Sequence, residues 1–190
     1  HWNLTKLAES LLPLLHENMD EAIQLAEVSI SEYVNDFNSA WISGMRSKLG
    51  LLNEEEGDYV LAQNLFSWME NAKADFTSTF RDLSYENLSD KDIYNSPDFK
   101  KWYDLWQARL SRNSKPIKSA LNTMRKCNPV IVPYNHLVEE ALSAAEEGDI
   151  QPFYKLLSAL EKPFEFSSSN EGFLNSIPDP NPHYQTFCGT

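Results

Sequence analysis

Residues 20–50, DEAIQLAEVSISEYVNDFNSAWISGMRSKLG, decide the fold class. Ile23, Ala26, Ile30, Tyr33, Val34, Phe37, Trp41 and Met45 recur at the 3.6-residue period, which stacks them on one face of a helix. Asp20 stands where an N-cap carboxylate can accept from the unpaired amides of the first turn. Lys48 in the last turn and Gly50 just past it form a stop signal, because a lysine complements the carbonyl end and glycine accepts the left-handed backbone that closes a helix. The spacing predicts one long helix.

The same period spreads outward from this segment in both directions. Leu4, Leu7, Ala8, Leu11, Leu12 and Leu15 make a broad stripe over residues 2–15, and Pro13 is expected to kink or end that helix. Downstream, Asp58 can cap a third helix carrying Leu61, Leu65, Phe66, Trp68 and Met69. Asp75 can cap a short fourth with Phe76, Phe80 and Leu83. Residues 84–95 read as a polar connection. Ser96-Pro97 opens a fifth helix with proline at its first position, followed by Phe99, Trp102, Tyr103, Trp106 and Leu110. Ser114, with Pro116 after it, opens a sixth that stops before Asn128-Pro129. A seventh runs from Asn135 to Glu147 and ends at Gly148; Asp149 starts an eighth with Phe153, Leu156, Leu157 and Leu160. Val130-Ile131-Val132 is β-branched, but Pro129 and Pro133 bracket it, so it reads as a buried connector rather than a strand. The expected fold is all-α: an irregular multi-helix bundle of about eight helices over 1–163, with an extended Pro- and Ser-containing tail over 164–190.

Composition agrees with a packed protein. Hydrophobic residues make up 42% of the 190, and the five Trp need a core or a partner surface to cover their rings. Two cysteines, far apart, do not make a disulfide scaffold and fit a reducing compartment. No apolar run approaches the ~20 residues of a membrane span. The net charge of −12 argues against nucleic acid as a partner. That charge is uneven: residues 1–75 hold 13 acids and 4 bases, 76–128 hold 6 and 10, and 129–190 hold 9 and 2. The middle stretch is either a solvated face or a basic face that docks on an acidic surface. The chain begins with His1 rather than Met and is expected to start inside a longer protein.

A search for chemistry finds little. The glycines are scattered singly, without a phosphate-cradling loop or a dinucleotide fingerprint. His1, His16, His136 and His183 have no i, i+4 partner, so they read as surface or capping residues. Glu54-Glu55-Glu56-Gly57-Asp58 lacks the alternating ligands of a calcium loop and reads as a solvated, helix-capping turn; Asp179-Pro180-Asn181 fails the same test. Ser43 and Ser111 have no base partner in sequence. Cys127, near a helix C-terminus where the dipole disfavours a thiolate, reads as structural. Cys188 lies in the tail two residues from the end, where a sulfur can reach other surfaces. No catalytic, cofactor-binding or metal-binding residue is assigned.

Several stretches, in order and spread over nearly the whole chain, resemble the C-terminal part of the selenoprotein O (SelO/YdiU) family. They are Trp2-Asn3-Leu4 with Leu7-Ala8-Glu9 and Leu11-Leu12-Pro13-Leu14; Lys48-Leu49-Gly50-Leu51; Asp75-Phe76-Thr77 with Phe80-Arg81; and Trp106 with Arg109-Leu110. Asn128-Pro129 with Asn135-His136, Gly148-Asp149 with Phe153, Pro163-Phe164, and Tyr184 with Cys188-Gly189-Thr190 complete the set. Tyr134 departs from the pattern, where Arg is expected in many members.

The resemblance implies a kinase-like protein adenylyltransferase that transfers AMP from ATP, with Mg or Mn, to Ser, Thr or Tyr hydroxyls of proteins. It also implies that the nucleotide- and metal-binding groups and the catalytic Asp lie upstream of Trp2-Asn3-Leu4, so no cofactor is expected on this chain. Its implied partners are an upstream kinase-like domain of the same chain and the protein substrates, with neither nucleic acid nor membrane. Cys188 matches a family position near the C-terminus occupied by selenocysteine in many animal members, which implies a redox residue able to pair with a cysteine of the catalytic domain. The implied compartment is cytoplasmic for a bacterial member and mitochondrial for a eukaryotic one. The competing reading is a free-standing helical interaction module without catalysis.

Overall fold

The computed structural model describes residues 1–88 and 92–174. Among these residues the chain is eight α-helices with two short 3-10 segments and no strand: α1 Trp2–Leu15, α2 Met19–Leu49, α3 Asp58–Ala72, α4 Phe76–Tyr85, α5 Pro97–Leu110, α6 Ile117–Cys127, α7 Asn135–Glu146 and α8 Gln151–Leu160. The expected all-α class and helix number hold. By internal packing the chain divides into two units, His1–Met45 and Arg46–Thr190, with the division falling near the C-terminal end of α2.

The first unit is the helix α1 followed by most of α2. Pro13 lies inside α1, and the helix continues to Leu15 instead of breaking at the proline. The ring removes one amide donor in the last turn, and α1 is exposed, so water can serve the carbonyl left behind. α2 is capped by Asn18 rather than Asp20: the Asn18 Oδ1 accepts from the amides of Asp20 at 2.9 Å and Glu21 at 3.4 Å. Asp20 and Glu21 then sit in the first turn, where their charge opposes the positive helix end.

The second unit begins with a tight stop. The Leu51 amide donates to the Arg46 carbonyl at 2.8 Å and the Gly50 amide to Ser47 at 3.3 Å, with Gly50 at φ +70°. This is the paired closure that left-handed glycine permits. Gly50 also has no room for a side chain, since a Cβ there would meet Met124 Sδ at 2.9 Å and Ala120 Cβ at 3.0 Å.

Around that stop the helices pair as α3 with α5, α4 with α6 and α7 with α8. The expected Ser96-Pro97 start is observed, with the Ser96 Oγ accepting from the Phe99 amide at 3.3 Å. Asp75 caps α4 by accepting from Ser78 at 2.7 Å. Three further starts differ by a residue or more. α8 begins at Gln151 rather than at Asp149, whose carboxylate accepts from the Gln151 amide at 3.0 Å. Asp58 is the first residue of α3 rather than its cap, and α6 begins after Pro116 rather than at Ser114.

Three tryptophans tie the second unit together. The Trp106 indole N–H donates to the Leu49 carbonyl at 2.9 Å, Trp102 to Leu61 at 2.9 Å and Trp68 to Ser96 Oγ at 3.1 Å. Each ring thus covers a large apolar area while its one polar atom is satisfied. Val130 and Ile131 are buried without forming a strand, as the bracketing prolines suggested. Residues 164–174 are turns ending in a 3-10 segment at Glu171–Phe173, and Phe173 and Leu174 pack on Val130, Ile131 and Ala159. Residues 175–190, with Cys188, lie outside the described residues.

Candidate functional site

The polar side chains of the second unit converge in three buried clusters. The first is built on Asp58. Its carboxylate accepts from Arg46 Nε at 2.7 Å, from Arg109 Nε at 2.7 Å and Nη2 at 3.3 Å, and from the Glu55 amide at 2.9 Å. Arg109 also donates to the Asn53 carbonyl at 2.6 Å, and its Nη1 lies 3.2 Å from Glu55 Oε1. Burial alone would push the Asp58 carboxyl up; hydrogen bonds from Arg109, the Glu55 amide and Arg46 outweigh it and hold the group below the usual carboxylate range. At the rim, Arg112 binds Glu55 at 2.8 Å and holds that carboxyl below its ordinary range as well. The acidic run 54–58 is therefore not a wholly solvated turn. Glu54 points outward, while Asp58 is buried and joins the ends of α2, α3 and α5.

The second cluster centres on Asn128. Its amide donates to the Lys48 carbonyl at 2.8 Å and to Ser84 Oγ at 2.9 Å, while Lys48 Nζ donates to Asn128 Oδ1 and to the Cys127 carbonyl, both at 3.2 Å. Lys48 also lies over the rings of Phe76 and Phe80, at 5.5 and 5.3 Å. Burial lowers the Lys48 pKa, against a smaller opposing pull from Cys127. The third cluster pairs Arg81 with Asp82. Arg81 Nη1 donates to the carbonyls of Val130 and Leu174 at 3.2 and 2.9 Å, and the Tyr94 hydroxyl donates to Asp82 at 2.7 Å. Burial raises the Tyr94 pKa far above that of an ordinary phenol, with Asp82 adding to it.

These clusters contain several of the residues that carried the family resemblance: Lys48, Phe76, Phe80, Arg81, Arg109 and Asn128. Their chemistry is that of locks. Most of the buried charges and amides are matched to a helix end or a connector, which is what the low dielectric of a core demands, while Asn53 Oδ1 is buried without a hydrogen-bond partner. Tyr134, the departure from the pattern, makes its own lock: its hydroxyl donates to the Asp75 carboxylate at 2.7 Å, and its pKa is pushed up to about 12 by burial and by Asp75.

The remaining residues singled out in sequence are scattered. His16 Nδ1 accepts from the Asn18 amide at 3.0 Å, His136 stacks on Tyr134 at 5.9 Å, and His1 lies 6.5 Å from the Tyr33 ring. Ser111 donates to the Ala108 carbonyl at 2.7 Å. Cys127 is half-buried at the end of α6. His183, Asp179, Pro180, Asn181 and Cys188 lie outside the described residues.

No three His, Cys, Asp or Glu converge among the described residues, and the buried carboxylates of Asp58 and Asp82 are already engaged by arginines. No helix among the described residues is long and apolar enough to cross a membrane.

Residues 1–161 match the family described as "Protein adenylyltransferase SelO". The chain is 46% identical over 191 aligned positions to the protein nucleotidyltransferase YdiU of Clostridium botulinum (strain Okra / Type B1), covering 100% of this chain and 39% of that protein. It is 44% identical over 190 positions to the protein nucleotidyltransferase YdiU of Bacillus thuringiensis (strain Al Hakam), again with 100% and 39% coverage. It thus spans about two-fifths of the length of the curated relatives it matches. The match over residues 1–161, together with the identity across the whole chain, places this protein in the SelO (YdiU) family.

Proposed function

We propose that this chain is the helical, non-catalytic region of a protein adenylyltransferase and that it braces a kinase-like catalytic region carried elsewhere in the full-length protein. In that reaction a Ser, Thr or Tyr hydroxyl of a protein substrate attacks the α-phosphorus of ATP and pyrophosphate leaves, with Mg or Mn bound at the catalytic region. One observation carries the reading: the chain belongs to a family whose relatives are named for adenylyl or nucleotidyl transfer, yet it spans only 39% of them. The locks of the second unit suit a brace, since each joins helix ends. The bacterial relatives and the two-cysteine composition support a cytoplasmic setting.

The test uses the full-length natural protein with ATP labelled on either the α- or the γ-phosphate. Label from the α-position is expected on protein, and transfer of the γ-label instead would overturn the reading. The 190-residue chain alone is expected neither to transfer AMP nor to bind ATP; micromolar binding by calorimetry would refute its non-catalytic role. Cys188 is proposed as a redox residue that forms a reversible disulfide with a cysteine of the catalytic region. Identical non-reducing peptide maps of the full-length protein and its Cys188→Ser variant would remove that role.

A further inference from the structure

The basic charge of the middle stretch gathers on α6. Residues 105–138 hold no Asp or Glu and six Lys or Arg, in a chain that carries 28 acids against 16 bases. Two of the six are engaged internally: Arg109 by Asp58 and Glu55, and Arg112 by Glu55. Lys115, Lys118, Arg125 and Lys126 meet no carboxylate within ion-pair distance among the described residues.

The helix sets these four in order. Its inner side carries the buried Ala120, Leu121 and Met124. On the other side Lys118, Asn122 and Lys126 are exposed at four-residue steps and so lie in one row, with Lys115 just ahead of the helix and Arg125 on the flank. Lys118 and Lys126 stand about 12 Å apart along the axis, the reach of about four residues of extended chain. An aromatic ledge adjoins the row. The Arg125 guanidinium lies 4.7 Å from the centroid of Tyr85, whose ring meets Phe166 edge-on at 4.6 Å, and Phe166 is 50% exposed.

Bases beside an exposed ring fit a partner that offers carboxylates and an apolar side chain, since the ring supplies a desolvated anchor and the charges set the orientation. Extent narrows the class further. An anionic membrane or a nucleic acid reaches beyond so short a row and meets the acids that dominate the rest of this chain, whose net charge is −12.

We propose that the outer row of α6, with the Tyr85–Phe166 ledge, docks a short acidic segment, bearing an apolar residue, of a separate protein. That this protein is the acceptor of AMP rests on the functional reading above; the chemistry of the contact does not.

The test uses the full-length natural protein and a fluorescein-labelled peptide of six Glu and one Phe. Binding followed by anisotropy is expected to weaken about tenfold when Gln replaces Glu in the peptide, and about tenfold for the variant Lys118→Glu, Lys126→Glu. Phe166→Ala is expected to weaken it about threefold. In the parent protein, saturating peptide is expected to slow amine acetylation about threefold at Lys115, Lys118 and Lys126, and not at Lys100 or Lys155. Equal affinity for the two peptides, equal affinity of parent and variant, or no protection at the three lysines would overturn the proposal. So would lysines already unreactive without peptide, which puts the rest of the chain over the row, or self-association of the parent that the variant loses, which puts a second copy there. Displacement of the peptide by an equimolar single-stranded oligonucleotide of the same charge would make the row a nucleic-acid site instead. AMP transfer from α-labelled ATP is recorded on the same samples. Binding without transfer leaves the docking in place and counts against the functional reading, whereas transfer without binding ends the docking proposal alone.

Discussion

Trp2 and Trp106 both lie on amphipathic helices, yet Trp2 is 71% exposed and Trp106 is 1% exposed. Around Trp106 the second unit has what a core requires: facing apolar helices, a carbonyl for the indole N–H, and paired charges beneath the helix ends. Around Trp2 the first unit has helices of similar period, but α1 buries none of its residues. Periodicity therefore tells which face of a helix will be buried but not against what. The comparison also separates two uses of charge. Two acids of the second unit, Asp58 and Asp82, are buried against arginines, whereas every acid of the first unit is exposed and shapes the field a partner meets.

The contrast is sharpest in removal of the Asp58 carboxylate. Asp58→Ala leaves the buried Arg46 and Arg109 with only the more exposed carboxylates of Glu54 and Glu55 as counter-charges and is expected to lower unfolding free energy by about 3–5 kcal/mol in chemical denaturation. A loss below ~1 kcal/mol would mean the second unit is no more tightly locked than the first. Replacing Arg46, Asp58 and Arg109 together by Met or Leu is expected to be far milder, since no charge is then stranded. The same group sets the acid limb. Its folded pKa is depressed, so its stabilisation is complete above the unfolded carboxylate value of about 3.9 and is lost as pH falls through the folded value. The melting temperature should drop below about pH 4, and Asp58→Asn should make that drop shallower.

Gly50→Ala comes next. A Cβ there adopts a left-handed backbone and also strikes Met124 and Ala120, so a loss of about 2–4 kcal/mol is expected by denaturation. The neighbouring unit offers a control: Gly44 has open space around it, and Gly44→Ala should be neutral or slightly stabilising. Similar losses at both positions would break the comparison.

Tyr134→Phe is smaller, about 1 kcal/mol, because it removes a single hydroxyl donor to Asp75. The Tyr134 pKa is raised to about 12, so the bond's contribution is complete below pH ~10 and fades as pH rises through the folded value. An alkaline melting series should show a limb in the parent that is missing in the variant.

The helices were legible in sequence because apolar period, Asp75, Ser96-Pro97 and Gly50 are local signals. Helix ends without such signals were not. α3 and α4 close on Lys73 and Glu86 in the left-handed region, at φ 52° and 55°, where no glycine marks the stop. Pro13 did not break α1, because a proline in an exposed last turn costs little. The locks were half legible. Arg109 continues the buried stripe of Trp102 and Trp106, and an arginine on that stripe demands a carboxylate, but nothing local says that the carboxylate is Asp58. That pairing joins residues 51 apart and depends on how α3 packs against α5.

The smallest effect tests the first unit. Val28 is 59% exposed, so Val28→Ser removes little packing within this chain and should change its unfolding free energy by no more than ~0.5 kcal/mol. In the full-length protein the same change is expected to cost more, about 1–2 kcal/mol, because a valine covered by a partner surface loses its transfer energy on becoming serine. The difference between the two measurements is what matters. If Val28→Ser is equally mild in both, the outer face of α2 meets water in the complete protein too, and residues 1–45 would have to be stable with their apolar side chains unburied. If it is costly only in the full-length chain, the burial that the second unit achieves internally is supplied to the first by the rest of the molecule.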